Sequence, residues 1–262
     1  MTQPTPPPAE QPQAPPPAAR PPGSQAEVVA AALAAEELAI TPALSAFMVA
    51  VLAYARGSAR VLGSPITVAK KVGYYALVFT ALRNLAQRSL DQQRSWSGPR
   101  AAEELWAHQG TAESAGVEAG LNVLAEAAKH IVRSARADIR QGGNVGLVSP
   151  AGSAFDPAAL EEAPGYTDVD KLALTVVQNT KHAATLAAAG EAGWTRKTWV
   201  DRHDTRVRVN HAFLGAKDYE FHTVPLLEPF VTLDDNKLWF PGDTSAPVHE
   251  WIRCRCWLRL SR

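Results

Sequence analysis

The sequence predicts an α+β protein: a mainly helical N-terminal domain, then a small C-terminal β-containing module, behind a disordered tail rich in proline, alanine and glutamine. Three observations predict it. Apolar residues recur at helical spacing through residues 24–140, and beyond Trp194 the period becomes strand-like with turn residues between the runs. Ten of the twenty prolines fall within the first 22 residues, a composition that can neither pack nor build a hydrogen-bonded ladder. The expected organisation is a tail at 1–23, a helical domain at 24–140, a loop or linker at 141–166 and a terminal module at 167–262.

Each element has a local reason. Ser24 and Glu27 form a capping box ahead of an alanine-rich helix, and Thr41-Pro42 repeats the start signal of a cap followed by proline. Leu44, Phe47, Met48, Val51, Leu52 and Ala55 then make a stripe that is read as packing. Ser64-Pro65 begins a helix toward residue 95, closed by Ser97-Gly-Pro99. From Ala101 to Arg140 the pattern stays helical, with Gly110, Gly116 and Gly120 expected to mark a break or a close helix contact. Thr167-Asp-Val-Asp170 starts a last helix that ends near Gly190. Turns are expected at Leu214-Gly215, Asp234-Asp-Asn236 and Pro241-Gly242. In the final strand Ile252, Cys254, Cys256, Leu258 and Leu260 should point inward, and Arg253, Arg255, Trp257 and Arg259 outward.

Composition excludes several classes. The 26 basic residues balance the 26 acidic ones, so no overall attraction to nucleic acid follows. Charge is nevertheless segregated: eight basic residues lie between Leu44 and Arg100 against the single acid Asp91. They are read as solvated helix faces, with a surface turned to DNA or an acidic partner as the alternative. Two cysteines two residues apart cannot make a disulfide framework, which suits a reducing compartment. No run approaches the ~18 apolar residues of a membrane helix, and the first residues do not resemble a secretion signal.

The densest set of motifs lies in the last quarter. Trp199 is followed by Asp204-x-Arg206-x-Arg208-x-x-His211, then by Phe240-Pro-Gly-Asp243 with Pro247, then by Cys254-Arg255-Cys256. In this order and spacing the set resembles the phage Mu F-like family of head morphogenesis, or minor head, proteins. Leu214 running directly into Gly215, and Arg253 where asparagine is usual, depart from the family pattern. The resemblance implies a low-copy structural protein of a tailed-phage head, not an enzyme, found inside the virion and in the host cytoplasm during assembly. Implied partners are the phage portal protein and other head proteins, with packaged double-stranded DNA as a further contact and a part in DNA ejection. Trp199, Asp204, Arg206, Arg208, His211, Gly242, Asp243, Pro247, Cys254, Arg255 and Cys256 are then determinants of the fold.

The same residues also carry donor groups that could do chemistry. Cys254 and Cys256 with two of His203, His211, His222 and His249 have the donor types of a zinc site. On a strand, however, residues i and i+2 point the same way without converging, so both cysteines are read as buried packing groups, neither ligands nor a disulfide. A nucleic-acid-processing or toxin-like enzyme would use His211 as general base with Arg206 and Arg208 holding an anion. The structural alternative is an Asp204–Arg206 ion pair fixing a turn and a hydrogen-bonded His211. His249-Glu250 has no second histidine at metalloprotease spacing, Ser245 lacks the glycine of a nucleophile elbow, and no phosphate-binding loop occurs. No catalytic residue, cofactor or metal is expected.

Overall fold

Alanine, leucine and valine at helical spacing dominate the first part of the chain, and the computed structural model is helical there. It describes residues 34–44, 74–140, 169–202 and 207–262. The proline-rich tail, the Ser24 capping box, the stripe from Phe47 to Ala55, Ser64-Pro65, the 141–166 loop and the segment 203–206 with His203, Asp204 and Arg206 lie outside the described residues. The elements are α1 (34–44), α2 (Tyr74–Trp96), α3 (Pro99–Trp106), α4 (Gln109–Arg140) and α5 (Val169–Glu191). The module adds β1 (Arg196–Val200), α6 (Val209–Gly215), β2 (Thr223–Pro225), β3 (Phe230–Val231), β4 (Lys237–Leu238), α7 (Val248–Trp251) and β5 (Trp257–Ser261).

Helix α5 is the centre of the molecule. From Leu172 to His182 every residue is buried, because α2 and α4 cover part of its circumference and the module covers the rest. Leu172, Ala173, Val176 and Val177 join Leu82, Leu85, Val117, Val123 and Leu124 in one cluster. Further along, Ala184, Ala188 and Ala189 meet Ala86, Leu90, Leu105 and Ala112. The approach of α4 depends on two missing side chains. A Cβ on Gly116 would stand 2.8 Å from the Thr180 carbonyl oxygen, and one on Gly120 would stand 2.5 Å from Thr180 Oγ1. These glycines therefore mark a close helix contact, and α4 runs unbroken through Gly110; the break falls at Ala107 and His108. Gly98, at φ 101, separates α2 from α3, and Pro99 opens α3 with a φ already suited to a helix.

One expectation changes at the N-terminal side. Thr41-Pro42 does not restart a helix, since α1 continues through it to Leu44. Proline removes one backbone donor, and the Thr41 hydroxyl supplies another by donating to the Glu37 carbonyl at 2.6 Å. α1 is tied to α5 by Lys181 and Glu36, 2.6 Å apart and both nearly devoid of solvent contact. Within the basic stretch, Arg83 reaches Glu113 at 2.5 Å and Arg100 reaches Glu104 at 2.8 Å, so part of its charge is neutralised by the following helices.

The module is built on an antiparallel sheet of order β2-β1-β5, with Trp199 opposite Leu258 and Val200 opposite Trp257. Alternate residues enter different clusters. Trp199 and Leu258 pack with Leu214, Phe230 and Leu238, whereas Val200 and Trp257 join the cluster around α2, α4 and α5. This corrects the reading of the last strand. It begins at Trp257 rather than Ile252, and Trp257 is buried against Trp96, ring centroids 6.0 Å apart, instead of facing outward. A sheet covered on both sides cannot keep a purely cationic face. Residues 252–256, expected as strand, instead leave the short helix α7 through a turn at Arg253, whose φ is 54. α6 was likewise not foreseen. Among the described residues no helix is long and apolar enough to cross a membrane.

Candidate functional site

Four elements deliver the cluster of interest. β1 presents Trp199, α6 presents His211, α7 presents Glu250, and the turn ahead of β5 presents Cys254 and Cys256. Pro247 caps α7, where the Glu250 N–H donates to its carbonyl at 2.9 Å; this short helix aims Glu250 inward. The left-handed backbone at Arg253 then curls the chain, and Cys254 N–H closes the turn on the Trp251 carbonyl at 3.0 Å. The thiols leave a turn and not a strand, so they converge where strand geometry would have kept them parallel. Cys254 Sγ lies 3.6 Å and Cys256 Sγ 3.7 Å from one atom, His211 Nδ1.

The opposite edge of the imidazole faces a carboxylate. His211 Nε2 is 3.2 Å from Glu250 Oε2, with the N–H turned off the line between them, so the contact is ionic and not an aligned hydrogen bond. Glu250 Oε1 accepts from Asn210 Nδ2 at 2.9 Å and from Asn236 Nδ2 at 3.0 Å. Trp199 closes a third side, its ring edge-on to His211 at 4.9 Å and to Phe230 at 5.2 Å.

Electrostatics follow from that enclosure. Burial lowers the pKa of His211, but the Cys254 charge, its hydrogen bond and the close Glu250 carboxylate outweigh it and lift the group to about 9. For Glu250 burial works upward, while the close His211 imidazole and the hydrogen bonds from Asn210 and Asn236 bring the carboxyl down to about 2. Burial likewise raises Cys254, yet the neighbouring Cys256 thiol and the imidazolium pull it well below the ordinary thiol range. Cys256, buried beside that thiolate, moves well above it.

Thiol, imidazole and carboxylate in that order are also the parts of a cysteine nucleophile, its base and its orienting group. His211 is 1% exposed, and the crevice beside it, walled by Arg202, Val207, Arg208, Arg253, Arg255 and the three clustered side chains, has a volume of about 10 Å³. That is room for one water and not for a nucleotide or peptide.

The remaining motif residues fix geometry. Gly242, at φ 83, lies so close to α5 that a Cβ would stand 2.9 Å from Gln178 Cβ. Its carbonyl accepts from Asn179 Nδ2 at 2.7 Å. Asp243 caps the same turn, accepting from Trp239 N–H at 2.8 Å and Ser245 N–H at 2.9 Å. Arg208 donates to the Ile252 carbonyl and so ties the segment before α6 to the cysteine turn. Arg255 is half-buried on the crevice wall. Among the described histidines with zinc-ligand potential, only His211 meets the thiols. His222 donates from Nδ1 to the Leu214 carbonyl at 2.8 Å, and His249 is exposed.

Several participants escaped sequence reasoning. Gln178 Nε2 donates to the carbonyls of both Cys254 and Cys256, at 3.2 and 3.3 Å, and His182 hydrogen-bonds the Cys256 backbone. A signal existed: Gln178 to His182 is an unbroken polar run within an otherwise apolar helix. It looks like a solvated face until a second layer covers it. Glu250, Asn210 and Asn236 carried no comparable mark. Comparison with known proteins finds no matching family model, no matching curated protein and no matching solved structure.

Proposed function

We propose that the chain is a structural minor head protein of a tailed bacteriophage, of the Mu F-like kind, bound to the portal inside the capsid and active in head morphogenesis. One observation carries this reading: the described motif residues of the resemblance, far apart in sequence, interlock as fold determinants. Trp199, His211, Cys254 and Cys256 are buried together, while Gly242 pins the module to α5 and Asp243 caps the turn that carries it. A motif spent on interior geometry, beside a crevice the size of one water, suits a scaffold better than a nuclease. The helical body would then offer the contact surface, and the exposed ends of its basic stretch would face packaged DNA.

The reading is tested by co-expressing the chain with the portal protein encoded in the same genome and analysing the complex by sedimentation. Co-sedimentation with the portal ring, and the chain's presence in purified particles by mass spectrometry, is the expected result. A chain absent from particles and unbound to the portal would remove it. Cleavage of nucleic acid that disappears in a folded His211→Ala variant would install the enzyme instead.

A further inference from the structure

We propose that His211, Cys254 and Cys256 are the protein ligands of a zinc ion, with Glu250 as the group that orients the histidine from behind. The distances carry the argument. Zinc sits about 2.0–2.1 Å from a histidine nitrogen and about 2.3 Å from a thiolate, so a tetrahedral angle between them requires N···S separations of about 3.6 Å. His211 Nδ1 stands 3.6 and 3.7 Å from the two sulfurs, and all three donor atoms lie within 4.8 Å of one another. Ordinary packing of an imidazole against two thiols does not require both sulfurs to aim at one ring nitrogen.

The surroundings match a ligand shell. A metal-binding histidine usually directs its other nitrogen at a carboxylate, which fixes the tautomer and the ring orientation. Glu250 Oε2 occupies that place, and its other oxygen is held by Asn210 and Asn236. With Nδ1 on the metal, His211 must carry its proton on Nε2, and a small ring rotation aims it at Glu250. The backbone of the ligand turn is anchored as well, since Gln178 holds the carbonyls of Cys254 and Cys256. The turn keeps a non-glycine residue, Arg253, at φ 54, a conformation that costs energy and presents Cys254 beside Cys256.

Charge and donor type select the ion. Two thiolates and an imidazole favour zinc over the oxygen-seeking magnesium and calcium. The arginine-lined wall would repel an unneutralised divalent ion, but two thiolates cancel its charge and leave a neutral buried centre. The fourth tetrahedral position faces the crevice, which has the room for a single water. The inference is independent of the phage reading, because it concerns what stabilises the module and not what the module binds.

The test uses the full chain, purified without a metal-affinity tag and stripped with a chelator, then titrated with zinc or cobalt alone. We expect one zinc per chain by elemental analysis and, for cobalt, the visible bands of a tetrahedral ion with thiolate-to-metal charge transfer. Glu250→Gln, which keeps the shape and removes the charge, should bind zinc about 10- to 100-fold more weakly. Absence of stoichiometric uptake overturns the proposal, as does cobalt bound without thiolate charge transfer or a Cys254–Cys256 disulfide in the reduced preparation. The cobalt spectrum of the unaltered chain decides the matter even where Cys254→Ser or Cys256→Ser fails to fold.

Discussion

The helical body and the C-terminal module differ in the chemistry that accompanies their apolar contacts. Around α2, α4 and the first half of α5 the contacts are made by leucine, valine and alanine, with Gly116 and Gly120 letting backbones approach. Burial of apolar area of that kind is non-directional and tolerant of repacking. The module has short strands around an apolar cluster of Trp199, Leu214, Phe230, Leu238 and Leu258. Against that cluster it sets a directed network of His211, Glu250, two thiols and the carboxylate of Asp243. The contrast teaches where each half is vulnerable: the body at charges enclosed by apolar walls, the module at atoms that must point in one direction.

The sharpest way to break the contrast lies inside the body. Glu36→Ala strands the Lys181 ammonium, which is 2% exposed and has that carboxylate at 2.6 Å, and should cost about 3–5 kcal/mol in urea unfolding. Replacing both partners by apolar residues should recover most of the loss. Little recovery would mean that the pair, and not the apolar packing, holds α1 on α5.

The next effect belongs to the module and depends on pH. Burial depresses Lys197 from 10.5 to about 8, with the Asp243 charge opposing it, while Nζ donates to the Trp239 carbonyl at 2.8 Å. Between those values the unfolded chain binds more protons than the folded one, so stability rises with pH. Measured against Lys197→Met, the protein should be relatively least stable below pH 8 and gain roughly 2–3 kcal/mol by pH 10.5, at about 1.4 kcal/mol per unit. A difference that stays flat over this window would contradict the enclosed lysine.

A smaller change tests the joint between the two halves. Asn179→Ala removes the donor to Gly242 and leaves a buried carbonyl unpaired, which should cost roughly 1–3 kcal/mol. Its hydrogen-exchange signature should be faster exchange in the 240–243 turn, with the α2 and α4 amides unchanged. Smallest of all, Arg100→Ala breaks an exposed i,i+4 pair with Glu104 and should leave the unfolding midpoint where it is.

Much of the helical half could be read from the chain because its signals are local. Apolar spacing, the Gly98-Pro99 stop and the small residues of α4 each act within a few turns. In the module only the turns at Asp235 and Gly242 were visible in the same way, through residues that tolerate positive φ. Alternation from Ile252 to Leu260 suggested one long strand and misplaced Trp257. The pattern cannot tell a strand with one wet face from a turn entering a sheet covered on both sides.

Residue types and their order determined on their own that helices precede a small sheet, that the cysteines are interior and that glycine is required at 242. Tertiary structure alone decided that both sulfurs converge on His211 Nδ1, that Glu250 stands behind the ring, and that the polar run of α5 is buried. The reason is physical. Local conformation follows from neighbours a few bonds away, whereas the direction of a donor atom depends on elements that meet only after the chain has closed on itself.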